Sequence, residues 1–115
     1  MIQRMNTNSR MSQVVIHNKT VYLAGQVADD PTADVQIQTR QVLAKIERLL
    51  EDAGSDLSHL LSATIWITDI GDFAAMNEVW DKWVPDGAAP ARACVESALA
   101  FEGLKVEVGV VAALP

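Results

Sequence analysis

The sequence predicts an α+β sandwich, one sheet with two helices laid over one of its faces. Three observations predict it. Runs rich in β-branched residues open the chain, recur in its middle and close it; two stretches between them switch to helical spacing; and the last run alternates strictly in polarity. The 115 residues make a single domain, 1–115, and half of them are apolar, enough to build a core.

The elements follow in the order β-β-α-β-α-β-β. SQVVIHNKTVYLAGQV, residues 12–27, holds two β-rich runs around Asn18-Lys19, a usable hairpin turn because Asn tolerates positive φ. DDPTAD is a loop. From Asp34, a suitable N-cap, the residues Val35, Thr39, Val42, Ile46, Leu49, Leu50 and Ala53 recur at helical spacing until Gly54 closes the helix. HLLSATIWITDI, residues 59–70, reads as a strand. Phe73, Met76, Trp80 and Trp83 mark a second helix with Asp72 as the expected N-cap, and Pro85 stops it. Two strands follow, about 91–98 and 104–112, which could pair as an antiparallel hairpin.

The final strand alternates Leu104, Val106, Val108 and Val110 on one face with Lys105, Glu107, Gly109 and Val111 on the other. Helices can cover only one face of the sheet. The second is too apolar near its end to be simply wetted, so a partner chain in a closed, symmetric assembly is expected to cover it. Glu107 stands alone among small residues on that second face, where a carboxylate is either paired or functional.

Composition excludes several classes. The net charge of −6 gives no basic face for nucleic acid and no attraction to an anionic membrane. One cysteine, Cys94, permits no intrachain disulfide, and two histidines, His17 and His59, make no zinc pattern. The first ten residues lack the apolar run of a signal peptide, and no run approaches a membrane span, so a soluble cytoplasmic protein is expected.

The segments SQVV, VYLAGQV, QTRQVLAKIERLLEDAGSD, TDIGDFAAMNEVW, PARACVE and KVEV span nearly the whole chain. Together they resemble the RidA (YjgF) family of enamine/imine deaminases, the most specific part being PARACVE followed fifteen residues after its Arg by the first Glu of VEV. The resemblance implies a chorismate-mutase-like fold and a homotrimer with ligand sites in clefts between subunits. It implies hydrolysis of reactive 2-imino acids to 2-keto acids and ammonia, with no metal and no cofactor. It also places Arg92, Glu107, Asn77, Gly25 and the Cys94 main chain at the site. Two positions depart from the family pattern. Met11 stands where a Tyr commonly precedes Ser-Gln, and Ala24 where a Ser commonly precedes Gly-Gln. Both positions help bind ligand in the family, so the chain reads as a side branch of it.

The chemistry suits these residue types. Arginine meets a carboxylate with two parallel hydrogen bonds, and glutamate can anchor a water or relay a proton. Along 91–98, Arg92, Cys94 and Glu96 share one face. A hairpin register opposing 92 with 107 would put Arg92 and Glu107 side by side, either as a site or as a plain cross-strand salt bridge. Cys94 reads as a small hydrophobe rather than a nucleophile, lacking an evident histidine base. Asn77, four residues after Phe73, is either a satisfied amide beside the core or a site residue. Trp80 and Trp83 read as core or subunit-contact residues, and Gly25 as a position of close backbone approach or a bulge. Three functions stay in view: a deaminase of small 2-imino acids, a non-catalytic trimer that binds a keto or amino acid, and, weakest on charge, a ribonuclease or translation inhibitor.

Overall fold

A computed structural model describes residues 1–115 as a single twisted sheet with two helices on one face. The strands are β1 (Gln3–Thr7), β2 (Ser12–His17), β3 (Thr20–Leu23), β4 (Gln26–Val27), β5 (Leu60–Ile67), β6 (Ala91–Glu96) and β7 (Val106–Ala113). The helices are α1 (Val35–Ala53) and α2 (Phe73–Trp83). Strands run in the order β1-β2-β3-β7-β5-β6, with the short β4 also paired to β7. Residues 3–7 add a strand that their polar, aperiodic sequence did not announce. It pairs with β2 at the sheet edge, and only its Met5 is half-buried.

Local signals set most of the boundaries. Asn18 and Lys19 both adopt positive φ, at 51° and 62°, and close the β2–β3 hairpin as the turn chemistry predicts. The Asp34 carboxylate accepts the Ile37 N–H at the start of α1, and Gly54 ends it in the left-handed conformation. The expected cap of α2 is different. Asp72 precedes the helix but its side chain caps nothing. Instead Asp69 accepts the Gly71 N–H and opens a single 3₁₀ turn that leads into α2.

The core lies between helices and sheet. Val42, Leu43, Ile46 and Leu50 of α1 and Met76, Val79 and Trp80 of α2 pack on Val14, Val21, Ile65, Ile67, Val106, Val108 and Val110. Burying each large aliphatic side chain contributes about 1.5–3 kcal/mol. Gln38 is a fully buried polar residue of α1. Its amide donates to the carbonyls of Ala33 and Gly103 and its oxygen accepts the Lys105 N–H, which ties the helix to the loop before β7.

The two final strands do not form that hairpin. Strand β6 pairs in parallel with β5, and β7 pairs antiparallel with β5 on its other side. The reason is physical. Helix α2 carries the chain back across the sheet after β5, so the next strand enters parallel, at the edge. The strictly alternating β7 has the more apolar face and takes the interior of the sheet, between β3 and β5. The sheet's second face is left uncovered in the single chain. Its rows read Arg4–Val15–Tyr22–Val111–Ser62–Ala91, then Gly109–Thr64–Ala93, then Val27–Glu107–Trp66–Val95. Tyr22 is 46% exposed and Val95 45%. That is a broad and mostly apolar surface of the kind that marks an interaction site.

The cap reading carries a simple expectation. Asp34→Ala should cost about 1 kcal/mol and lower the melting temperature by roughly 4 °C, with Asp34→Asn close to native. An alanine variant that melts with the native protein would show that α1 does not depend on this cap.

Candidate functional site

Parity along β5 decides where the two charged residues point. Arg92 lies opposite Ala63, whose other neighbour is the buried Val110, so Arg92 is on the helix side of the sheet. Glu107 lies opposite Trp66, three residues further along β5, and so points to the uncovered face. One strand stands between them. They are therefore about 10 Å apart across the sheet, about 10 Å apart along it, and on opposite faces, from a strand spacing of about 4.8 Å and a rise of about 3.3 Å per residue. The expectation that the two side chains meet in one chain is overturned. The cross-strand salt bridge is absent too, since the only ion pairs are Lys45–Asp29 and His59–Asp56.

Each residue instead sits in its own surroundings, a candidate half-site. At the first, edge strand β6 extends Arg92 over α2. Its Nη1 donates to Asn77 Oδ1 at 2.7 Å. Its guanidinium carbon lies 5.9 Å from the Phe73 ring centroid and 5.2 Å from that of Trp80. Arg92 is nonetheless exposed, and its fork faces no carboxylate of its own chain. Cys94, on the same face two residues on, is half-buried beside Ile65. Burial pushes its thiol pKa up, against the opposing pull of the Arg92 charge. The thiolate is thus scarce at neutral pH, in keeping with a packing role.

At the second half-site, Glu107 is half-buried on β7 between Val27 of β4 and Trp66 of β5. Gly25, just before β4, lies under its carboxylate. A Cβ at position 25 would collide with Glu107 Oε2. Glycine here makes room for the carboxylate, and its φ lies outside the left-handed region. Ala24 is half-buried next to Gly25, and its N–H donates to the Gln13 carbonyl. Met11 is 40% exposed just before β2, its N–H bound to Asn8 Oδ1. The structure therefore groups Arg92, Asn77 and Cys94 at β6–α2 and groups Gly25, Ala24 and Glu107 at the β3–β4–β7 end, with Met11 at the mouth of β2.

Sequence reasoning missed the aromatic partners of both charges. Phe73 and Trp80 flank Arg92, and Trp66 stands beside Glu107. The first pair had a signal, because Phe73, Asn77 and Trp80 follow one another at i, i+4 and i+7 on one helical stripe. No group of His, Cys, Asp or Glu side chains is arranged to hold a metal. No helix is long and apolar enough to cross a membrane.

Comparison with known proteins places this architecture. A family model described as Endoribonuclease L-PSP matches residues 1–114. The chain belongs to the RidA (YjgF) family. It is 46% identical over 113 residues to the RutC family protein YoaB of Escherichia coli, with 98% of each chain covered. Among solved structures, an uncharacterized protein from Pseudomonas aeruginosa superposes with a TM-score of 0.97 at 45% identity over the full length of both chains. A YjgF-family protein from Neisseria meningitidis gives 0.96 at 42% identity, covering 100% of this chain and 96% of the other. In this RidA-family chain the two-layer fold and the split between Arg92 and Glu107 rest on the same sheet order.

The contact beneath Glu107 can be tested directly. In Gly25→Ala the fold should persist, with stability changed by about 0.5 kcal/mol or less, as is usual for exposed sites. The Glu107 carboxylate should swing off β4, visible in a crystal structure of the variant. A Glu107 left unmoved above the added methyl would contradict the geometry described.

Proposed function

We propose that the protein is a hydrolytic deaminase of small 2-imino acids and their enamine tautomers. It would convert them to 2-keto acids with release of ammonia. The observation that carries this reading is the Arg92 fork: exposed, held by Asn77 and two aromatic rings, and unpaired with any carboxylate of its own chain. Such a fork suits a planar carboxylate from outside. In the reaction, water adds to the imine carbon, the nitrogen takes up a proton, and the C–N bond breaks to give the carbonyl and ammonia. The tasks left to the protein are to hold the carboxylate, orient C=N and place the water. Arg92 performs the first. Glu107 performs the last, accepting the proton of the attacking water and returning it to the leaving nitrogen.

One chain cannot bring both groups to one molecule, so we infer that the site is completed between copies. Arg92 of one subunit faces Glu107 of the next in a closed homotrimer. Two observations support this: the opposite faces of the two half-sites and the mostly apolar, uncovered sheet face that carries Glu107. A heterologous contact, with different surfaces on each partner, is the type that joins two unlike half-sites. No metal or organic cofactor is needed for this chemistry, and the cytoplasm, where reactive imines would form, is the proposed location.

Met11 and Ala24 favour a second reading, a trimer that binds a keto or amino acid without turnover. A thioether and a methyl make that end of the cleft drier than hydroxyls would. RNA cleavage, which the family model's description names, is disfavoured by the net charge of −6.

The readings separate in one assay. An amino-acid oxidase generates 2-iminobutyrate or 2-iminopropionate, and semicarbazide traps what survives. The native protein should lower the trapped fraction, and more so for imines from leucine or methionine than for that from serine. Glu107→Gln should still bind 2-keto acids but lose roughly 100-fold or more in turnover, the usual scale of general acid–base catalysis. Arg92→Lys should lose roughly tenfold or more in both, since lysine keeps the charge without the two-pronged geometry. Keto-acid binding by a native protein that never lowers trapping would establish the non-catalytic reading.

A further inference from the structure

The Arg92 half-site has a feature that carboxylate binding alone does not require. Phe73, Asn77 and Trp80 stand on one stripe of α2, and all three reach the same guanidinium. Asn77 occupies a donor on Nη1, while the guanidinium carbon lies over the rings of Phe73 and Trp80 within cation–π range. Trp83 packs behind Trp80 with ring centroids 5.3 Å apart and planes tilted by 51°. Arginine on an exposed edge strand ordinarily samples many rotamers, and an unrestrained fork must be ordered anew by each ligand. Here its contacts from the helix side come from three side chains spaced over two turns of one rigid element.

We propose that this stripe is a cradle which holds the Arg92 fork in the orientation that receives the carboxylate. Phe73, Asn77 and Trp80 are then positioning residues. The ring faces restrain the guanidinium plane, and Asn77 fixes its rotation within that plane. The donors that Asn77 does not use are then left to the carboxylate. Phe73 is the most telling member. It lies outside the buried core and 40% exposed in the single chain, with Arg92 over its ring. Trp80 is buried and serves the core as well. This inference rests on the carboxylate-binding reading of Arg92, but the order of the fork in the free protein can be measured without any ligand.

The experiment is ¹⁵N relaxation of the arginine Nε–H groups in the assembled native protein and in Phe73→Leu, Asn77→Ala and Phe73→Tyr, with exposed Arg10 and Arg48 as internal references. Arg92 should show an order parameter close to that of rigid backbone, about 0.85, well above its references. It should fall toward them in Phe73→Leu and Asn77→Ala and recover in Phe73→Tyr. A native Arg92 as mobile as Arg10, or a fork whose order the substitutions leave unchanged, overturns the proposal. The second arm titrates 2-oxobutanoate as the carboxylate probe and records melting in parallel. Phe73→Leu and Asn77→Ala should weaken binding about 3- to 10-fold with little change in melting temperature, and Phe73→Tyr should restore it. Affinity unchanged in both variants overturns the positioning role. An ordered Arg92 in a native protein that takes up no keto acid instead overturns the carboxylate reading, and with it the purpose assigned to the cradle.

Discussion

The pairing of β5 with both of its neighbours decides where the two charged residues of the candidate site point. Side chains on a strand alternate, so the parity of a partner's register decides its face. Ala63 and Trp66 differ by an odd number of positions. Arg92, opposite the first, therefore lies with the helices, and Glu107, opposite the second, lies on the open face. A slip of one residue in either pairing would bring both charges to one side. In β7 it would also turn the buried row of Val106, Val108 and Val110 toward solvent, whereas β6 carries no buried residue and is held by its pairing with β5. The hydrophobic pattern thus locks Glu107 on the open face. A chain built this way presents two chemically different half-sites on two different surfaces, which is the arrangement a cyclic assembly can join.

Each of the two charged groups is held by its own neighbours within the single chain. On the helix side, α2 supplies an amide and two rings to a guanidinium that would otherwise be free. On the open side, the absence of a side chain at Gly25 makes room for the Glu107 carboxylate against β4. Of these groups only Trp80 also belongs to the core. Phe73 at the surface and Gly25 between β3 and β4 each stand beside a charged group.

Much of this was legible in the sequence, for identifiable reasons. The Asn18-Lys19 turn, the Asp34 and Gly54 caps and the two faces of the last strand are local signals, encoded within a few residues of where they act. The strand at 3–7 was not legible, because it is polar, lies at the sheet edge and is held by pairing with β2 rather than by burial of its own. The pairing of the last two strands was misread for a related reason. The loop between 96 and 106 is compatible with a hairpin or with a step over β5, and only the crossover through α2 decides between them. Family resemblance singled out Arg92 and Glu107, whereas the side-by-side geometry expected for them within one chain is overturned by the strand pairing. The stripe Phe73–Asn77–Trp80 was visible as a spacing, but its common target lies on a strand fifteen residues downstream of Asn77.

The central claim is that one reaction site draws Arg92 and Glu107 from different chains. Complementation tests it most directly. Arg92→Ala and Glu107→Ala proteins, each inactive alone, are denatured, mixed in equal amounts and refolded together, and deamination is measured by semicarbazide trapping. In a closed ring with random assortment, a cleft is intact when the Glu107 variant supplies the arginine and the Arg92 variant supplies the glutamate, so about one quarter of native activity should return. A mixture as inactive as its two components, while the native protein refolded in the same way regains its activity, would contradict the account.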